Sequence, residues 1–412
     1  MRLVLYTHPA FLGSHSQAHF ARMLTEAYRA RGHSVELRQP EPVLQARVPR
    51  GTGSKWAGYV DQYLLFPQRI RADLRRDPPH TLYVFCDQAL GPWMPLVAHR
   101  PHVVHCHDLL ALRSALGDIA ENPTSFTGRV YQRYIRRGFQ HARHFISISQ
   151  KSRADLHRYG EVLPVTSEVV YNGLNHPYVP QEEAVALQTL SNAGLPASEA
   201  GYLLHVGGGQ WYKNSVGVVR LYGVHAAEEV AAGRCPLPLW MVSPPPDARL
   251  QAAIAMLPPQ AEVRFFSGLS TQVLEALYSH ARVMLFPSLA EGFGWPIVEA
   301  QACGCPVITT DEAPMTEVGG DACTYLPRLR STDDLAVAAW ALHGAGVLRS
   351  VLGRSLQKRE RVRAAGLAHA ARFSAEAAIE AYLAVYQHVL SLESLRQPSP
   401  QEESHDRITM SP

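Results

Sequence analysis

Two glutamates, Glu291 and Glu299, bracket a turn in the stretch EGFGWPIVEAQACGCPVITT, residues 291–310. A carboxylate accepts hydrogen bonds without donating any, which suits it to holding hydroxyl groups. Pro296 is placed to be the first helical residue, where its missing N–H costs nothing. The helix is expected to run to about Cys303, with Gly304 near its end. Glu299 then falls about one turn inside the helix, and Glu291 lies in the loop before it. Gly292 and Gly294 let the main chain approach a ligand closely, and the free amides at the helix start favour an anion. Amides on a diphosphate, one carboxylate on ribose and one on a second set of hydroxyls are together the chemistry of a sugar nucleotide.

Lys213 is the second reactive position. It closes the loop HVGGGQWYKN, directly after an apolar run, and is one of four lysines among 39 basic residues. Three glycines make a close-approach loop; Gly209 and Gln210 offer main-chain and amide groups, and Lys213 can reach a diphosphate. No later acidic partner completes a nicotinamide fingerprint. Gly268 and Leu269 follow the run VRFF, where a base laid across the loop would be read mainly by main-chain polar groups. In HVVHCHDLL, His105 and His107 face one way and Cys106 the other. Adjacent histidines on one strand do not readily close a tetrahedral metal site, and no carboxylate-rich loop supports one. No metal is expected.

These positions need strands that end at them. Short apolar runs alternate with longer amphipathic ones, the α/β pattern. RLVLYT, SVELRQ, TLYVFCD, HVVHCHD, HFISIS and SEVVYNG form a first set of strands; YLLHVGG, PLWMVSP, EVRFFSG, VMLFPS, PVITT and CTYL form a second. Helices are expected from Gln17 to Ala30, from Phe126 to His141, and from Asp333 to about Leu390 with a break around Gly344–Gly353. Ser16 is a candidate N-cap of the first helix, and Ser149 caps a later one. Two α/β units with separate sheets imply a crevice between them, with ligands beyond the carboxyl ends of the strands. The expected division is 1–180, 181–372, a helix over 373–390, and a polar tail over 391–412.

The chain has 412 residues, 46% hydrophobic and 18% charged, and a net charge of +3. That balance disfavours a nucleic-acid partner. The arginine clusters RIRADLRR and RYIRRGFQHAR read as solvated helix faces, or as contacts to an anionic membrane or acceptor. The start, MRLVLYTHPAFLG, reads as a strand and loop rather than a signal peptide, and no run reaches the ~18 apolar residues of a membrane span. Six scattered cysteines suggest neither a disulfide framework nor a metal site. A cytoplasmic protein, with possible association with the inner face of the membrane, is expected.

In its frame EGFG-P--EA-ACG-PV, the Glu291–Glu299 motif resembles that of the retaining family 4 glycosyltransferases (glycosyl transferases group 1). The resemblance covers residues 1 to 390. It implies GT-B architecture: two Rossmann-like parallel-sheet domains facing a central cleft, with residues 1–180 on the acceptor side and 181–372 on the nucleotide-sugar side. The late helix would cross back to the first domain. By that likeness Glu299 binds the donor ribose and Glu291 the donor sugar, while Phe293 and Gly294 make backbone contacts. Ile297 and Val298 would line the diphosphate, and His107 the catalytic cleft. Gly13 and Ser14 stand where relatives bring amides to the diphosphate, and Tyr171–Gly173 resembles the interdomain turn. The family usually carries an arginine five residues before the lysine; Gly208 stands there.

The implied activity is metal-independent, retaining transfer from a nucleoside-diphosphate sugar to a hydroxyl acceptor that is a glycan, lipid-linked or small. No cofactor is implied. His107, Lys213 and Glu291 are the catalytic candidates. A sugar-nucleotide epimerase or hydrolase on the same scaffold, and a catalytically silent sugar-nucleotide-binding protein, are the alternatives.

Overall fold

The computed structural model describes residues 1–12, 15–49, 51–196 and 198–396. The chain forms two compact units: Met1–Tyr171 joined by the segment from Glu376 onward, and Asn172–Ala375. Each is built on one six-stranded parallel sheet. In the first, β1 (Arg2–Tyr6), β2 (Ser34–Arg38), β3 (Leu82–Phe85), β4 (His102–Cys106), β5 (His144–Ser147) and β6 (Thr166–Val169) lie in the order β2-β1-β3-β4-β5-β6. In the second, β7 (Leu203–Val206), β8 (Leu239–Val242), β9 (Val263–Phe266), β10 (Val283–Phe286), β11 (Val307–Thr310) and β12 (Thr324–Leu326) lie in the order β12-β11-β10-β7-β8-β9.

The central strands β1, β3, β4, β7 and β10 read as nearly continuous apolar runs because helices cover both faces of a parallel sheet. Alternation then sorts side chains. Val4 and Tyr6 of β1, with Tyr83 and Phe85 of β3, enter one core together with Trp93 and Phe139. Leu3, Leu5, Leu82 and Val84 enter the other, which the C-terminal helix Ala375–Arg396 closes with Ile379, Tyr382, Leu383 and Tyr386. In the second unit Leu203, Met241, Leu285 and Ile308 pack under the helices Ser215–Ala231 and Asp334–Leu352. The latter helix is long and apolar enough to cross a membrane, yet its Trp340, Leu348 and Val351 belong to this core.

Two local expectations are corrected. The region after Asp333 is three helices, Asp334–Leu352, Leu356–Ala370 and Ala375–Arg396: the chain breaks at Gly353, the far end of the expected interval, and a second time over residues 371–374. A Cβ on Gly344 would lie 2.4 Å from Leu221 Cδ1, so that glycine permits close helix packing. The first helix starts at His15, which places Ser16 inside its first turn rather than before it. At the turn after Tyr171 a Cβ on Gly173 would meet the Ala375 Cα at 2.4 Å, so that glycine permits the close approach of main chain. Ser149 does cap its helix, accepting from the Ser152 amide at 3.0 Å.

Candidate active site

In the second unit the expected residues gather where β7 and β10 end. Gly207 (φ +116°) and Gly209 (φ +78°) turn the chain out of β7 through conformations that L side chains rarely adopt. A single turn, Trp211–Lys213, follows, and Asn214 in a left-handed conformation starts the helix Ser215–Ala231. Asn214 Nδ2 donates to the Pro287 carbonyl at 3.0 Å, and the Leu289 amide donates to the Tyr212 carbonyl at 2.7 Å. These bonds tie the lysine loop to the glutamate loop. Lys213 Nζ accordingly donates to Glu291 Oε1 at 2.8 Å, with both side chains nearly buried. The ammonium also lies 4.7 Å from the centroid of the Phe286 ring, an attractive cation–π placement.

The helix after Glu291 runs Trp295–Ala302, capped by Gly294 at φ +101° and followed by Gly304 at φ +75°. Pro296 is its second residue, one place later than expected. Phe293, Ile297 and Val298 are buried, so only their main chain is presented to a ligand. Glu299 is 8% exposed and accepts a hydrogen bond from the Tyr278 hydroxyl at 2.8 Å. Burial pushes its pKa up to about 7, against the lowering effect of Tyr278 and of the Lys213 charge. Lys213 thus acts electrostatically on both carboxylates. Gly268 (φ +68°) is exposed after β9, and Leu269 precedes Ser270, which caps the helix Thr271–His280 bearing Tyr278.

In the first unit His107 leaves β4. Its Nε2–H donates to the Cys86 carbonyl at 2.9 Å, which leaves Nδ1 as the acceptor nitrogen. Gln88 holds the loop at both ends: its Oε1 accepts from the His107 amide at 3.0 Å, and its Nε2 donates to the Asp108 carbonyl at 2.6 Å. Asp108 Oδ1 accepts from the Leu110 amide at 2.9 Å, which orients the turn. His105 is fully buried against the Tyr386 hydroxyl at 2.7 Å, and burial lowers its pKa to about 3. His102 is fixed by the Arg100 carbonyl and the Arg143 amide. Among the described residues no group of three or more His, Cys, Asp or Glu could hold a metal. Gly13 and Ser14 lie outside the described residues.

The model of the glycosyl transferases group 1 family matches residues 193–326, and that of glycosyltransferase family 4 matches residues 17–176. O-antigen chain mannosyltransferase B of Escherichia coli is 28% identical over 70% of this chain and 73% of its own length. The chain is a GT-B glycosyltransferase, related to group 1 and family 4. O-antigen chain mannosyltransferase RfbU of Salmonella typhimurium strain LT2 is 25% identical to the transferase, over 50% of this chain and about half, 52%, of its own length. A glycosyltransferase structure from Rickettsia africae shares the fold, with a TM-score of 0.63 at 14% identity, covering 94% of this chain and 98% of that one.

The transferase has a steric reason for Gly208. A Cβ there would sit 2.3 Å from Ser243 Cβ and 3.4 Å from Pro244 Cδ, so the loop after β8 excludes an arginine. Several residues escaped the sequence reading because their partners are remote. Tyr278 meets Glu299 across 21 positions, and Gln88 meets His107 across 19. Asp87 accepts from His8 Nε2 at 2.9 Å across 79 positions. Burial would raise the Asp87 pKa, but His8 and the Ala89 amide bring it below the ordinary value, so it stays ionised. Only the placement of His8 and Asp87 directly after apolar runs could have marked them.

Proposed function

We propose that the protein moves a sugar from a nucleoside-diphosphate sugar to a hydroxyl acceptor with retention at the anomeric carbon. The observation that carries this reading is the Lys213–Glu291 pair at 2.8 Å, with Glu299 within reach of the same charge. When the bond between the anomeric carbon and the diphosphate oxygen breaks, negative charge grows on the leaving group. Lys213 and the amides of the 207–210 and 292–295 segments are the groups to stabilise it, so the chemistry needs no metal. Glu299 holds ribose hydroxyls, and Glu291 holds hydroxyls of the transferred sugar. The acceptor oxygen forms the new bond, its proton passes to the departing phosphate, and His107 lines the acceptor side.

Mannose is the sugar to try first, and a cell-envelope or exopolysaccharide glycan the acceptor class, because the two O-antigen relatives are mannosyltransferases by name. Exposed Phe126, Val130 and Tyr134 lie on the helix Phe126–Phe139 beside Arg129 and Arg133. They support peripheral contact with an anionic membrane where a lipid-linked acceptor would be presented.

The test is a calorimetric screen of UDP-, GDP-, ADP- and TDP-sugars, followed by product analysis with hydroxyl acceptors. A new glycoside with the donor's anomeric configuration is expected. Free sugar alone would mark a hydrolase, an altered sugar nucleotide an epimerase, and binding without turnover a silent binder.

A further inference from the structure

The second unit has a cavity at the end of its sheet opposite to Lys213. Ala200 precedes β7, Leu237 precedes β8, Ala281 precedes β10 and Pro306 precedes β11, and all four line a volume of about 710 Å³. That is ample for a small ligand, for which ~300–1,000 Å³ is usual. Parallel sheets ordinarily bind ligands at their carboxyl ends, which makes a cavity at the amino ends a separate feature.

Its wall is cationic. Arg282, Arg349, Arg354, Arg359 and Arg363 line it, against Glu229 and Glu360. Glu229 is already held twice by Arg234, at 2.7 Å each, and Arg349 is 3.3 Å from Glu228. Among the described residues the other four arginines have no carboxylate within ion-pair distance. Arg282 donates to the Ala200 carbonyl, Arg354 to the Thr324 hydroxyl, and Arg359 to the carbonyls of Arg354 and Leu352. Arg354 Nε is buried with no acceptor at all. Its burial, unopposed by any nearby carboxylate, lowers its pKa. Arg363 reaches in across Gly304, where a Cβ would meet its Nε at 2.7 Å. His225, 3% exposed, adds an Nδ1 with no partner.

Guanidinium groups in excess over the carboxylates of the same wall repel one another, and the arrangement is relieved by an anion that several can share. A phosphate oxygen set matches the fork of a guanidinium and forms charge-assisted bonds. We propose that this cavity is a second ligand site, for a molecule bearing phosphate or diphosphate, distinct from the Lys213–Glu291–Glu299 cluster. The phosphate belongs either to a soluble ester or to a lipid headgroup. Arg354 supplies the inner contact and the exposed Arg359 and Arg363 the outer ones, and exposed Leu356 at the rim leaves room for the rest of the ligand.

Calorimetry with inorganic pyrophosphate on the full-length protein tests the soluble form, and co-sedimentation with phosphatidylcholine vesicles, with and without phosphatidylglycerol, tests the lipid form. Arg359→Ala/Arg363→Ala alters exposed side chains, and a thermal-unfolding scan checks that the fold persists; Arg354→Ala is the second variant. Pyrophosphate binding that survives Lys213→Ala and weakens ~tenfold or more in the arginine variants is expected. Binding only to phosphatidylglycerol vesicles, with the same arginine dependence, assigns the phosphate to a lipid. Pyrophosphate binding lost in Lys213→Ala but kept in the arginine variants, or no arginine-dependent binding to either probe, overturns the proposal.

Discussion

At the scale of single residues, the two glutamates differ in what they are bonded to, and that separates their expected behaviour. Glu299 is buried on Tyr278, and its pKa stands at about 7 against an ordinary 4.5. A carboxyl raised in this way keeps its proton in the folded state while the unfolded chain has released it. Stability is therefore lost as pH rises from about 4.5 to about 7, by an upper limit of about 3 kcal/mol. Glu299→Gln should abolish that dependence, so denaturant unfolding at pH 5 and 7.5 should show wild type losing ground to the variant. Equal pH slopes would mean that Glu299 titrates normally. Ribose binding draws on the same group: the variant should bind nucleoside diphosphate more weakly at pH 8 by about 1–3 kcal/mol. Glu291 instead neutralises Lys213 at 2.8 Å. Glu291→Gln releases that ammonium for phosphate, so calorimetry should give nucleoside-diphosphate affinity equal to or tighter than wild type while turnover falls. Weakened diphosphate binding in Glu291→Gln would reverse the two assignments.

At the scale of elements, what was readable was whatever a local pattern encodes. Apolar runs bounded by glycine and proline marked the strands. The Gly294–Pro296–Gly304 punctuation marked the helix Trp295–Ala302 to within a residue or two, because its ends depend on backbone conformations that those residues favour. Contacts between distant elements were not readable. Gly344 looks like a helix breaker locally, and only the presence of Leu221 shows that its missing side chain is a packing feature. Likewise nothing near Lys213 or Glu299 in sequence announces Asn214 bonding to Pro287 or Tyr278 bonding to Glu299. Gly138 gives the sharpest test of such a contact. It lies on the helix Phe126–Phe139, where a Cβ would come within 2.1 Å of the Gly91 carbonyl oxygen and 2.7 Å of the Pro92 nitrogen. The obstacle is main chain, which cannot rotate aside. Gly138→Ala should cost about 3 kcal/mol, whereas Gly128→Ala on the same helix, facing only the side chains of Thr124 and Ser125 just before it, should cost less than half of that. Equal melting temperatures for the two variants would refute the close approach.

At the scale of the whole molecule, the first unit is assembled from the two ends of the chain. The helix Ala375–Arg396 places Ile379, Tyr382, Leu383, Tyr386 and Val389 in the core that also holds Leu3, Leu5, Phe20 and Leu24. Polar bonds fix it at two depths. The Tyr386 hydroxyl donates to His105 Nε2 at 2.7 Å and accepts from Tyr28 at 3.2 Å, while Glu393 accepts from Arg143 at 2.6 Å and from His144 at 2.9 Å. Burial alone would raise the Glu393 pKa, but His144 and Arg143 bring it below the ordinary value, so its charge is retained in the folded state. The apolar period of this segment could be read in the sequence; its partner strands, over 280 positions away from Tyr386, could not. The second unit, Asn172–Ala375, has its own core. Ending the chain after Ser374 should therefore act on one unit alone. The truncated protein is expected to lose the cooperative unfolding transition of residues 1–171, with rapid amide exchange in β1, β3 and β4, and to keep the transition of the second unit. Calorimetry of the full and shortened chains, with hydrogen exchange to assign the transitions, makes the comparison. A shortened chain that retains protected amides in β1 and β3 would mean that the first core closes without the helix.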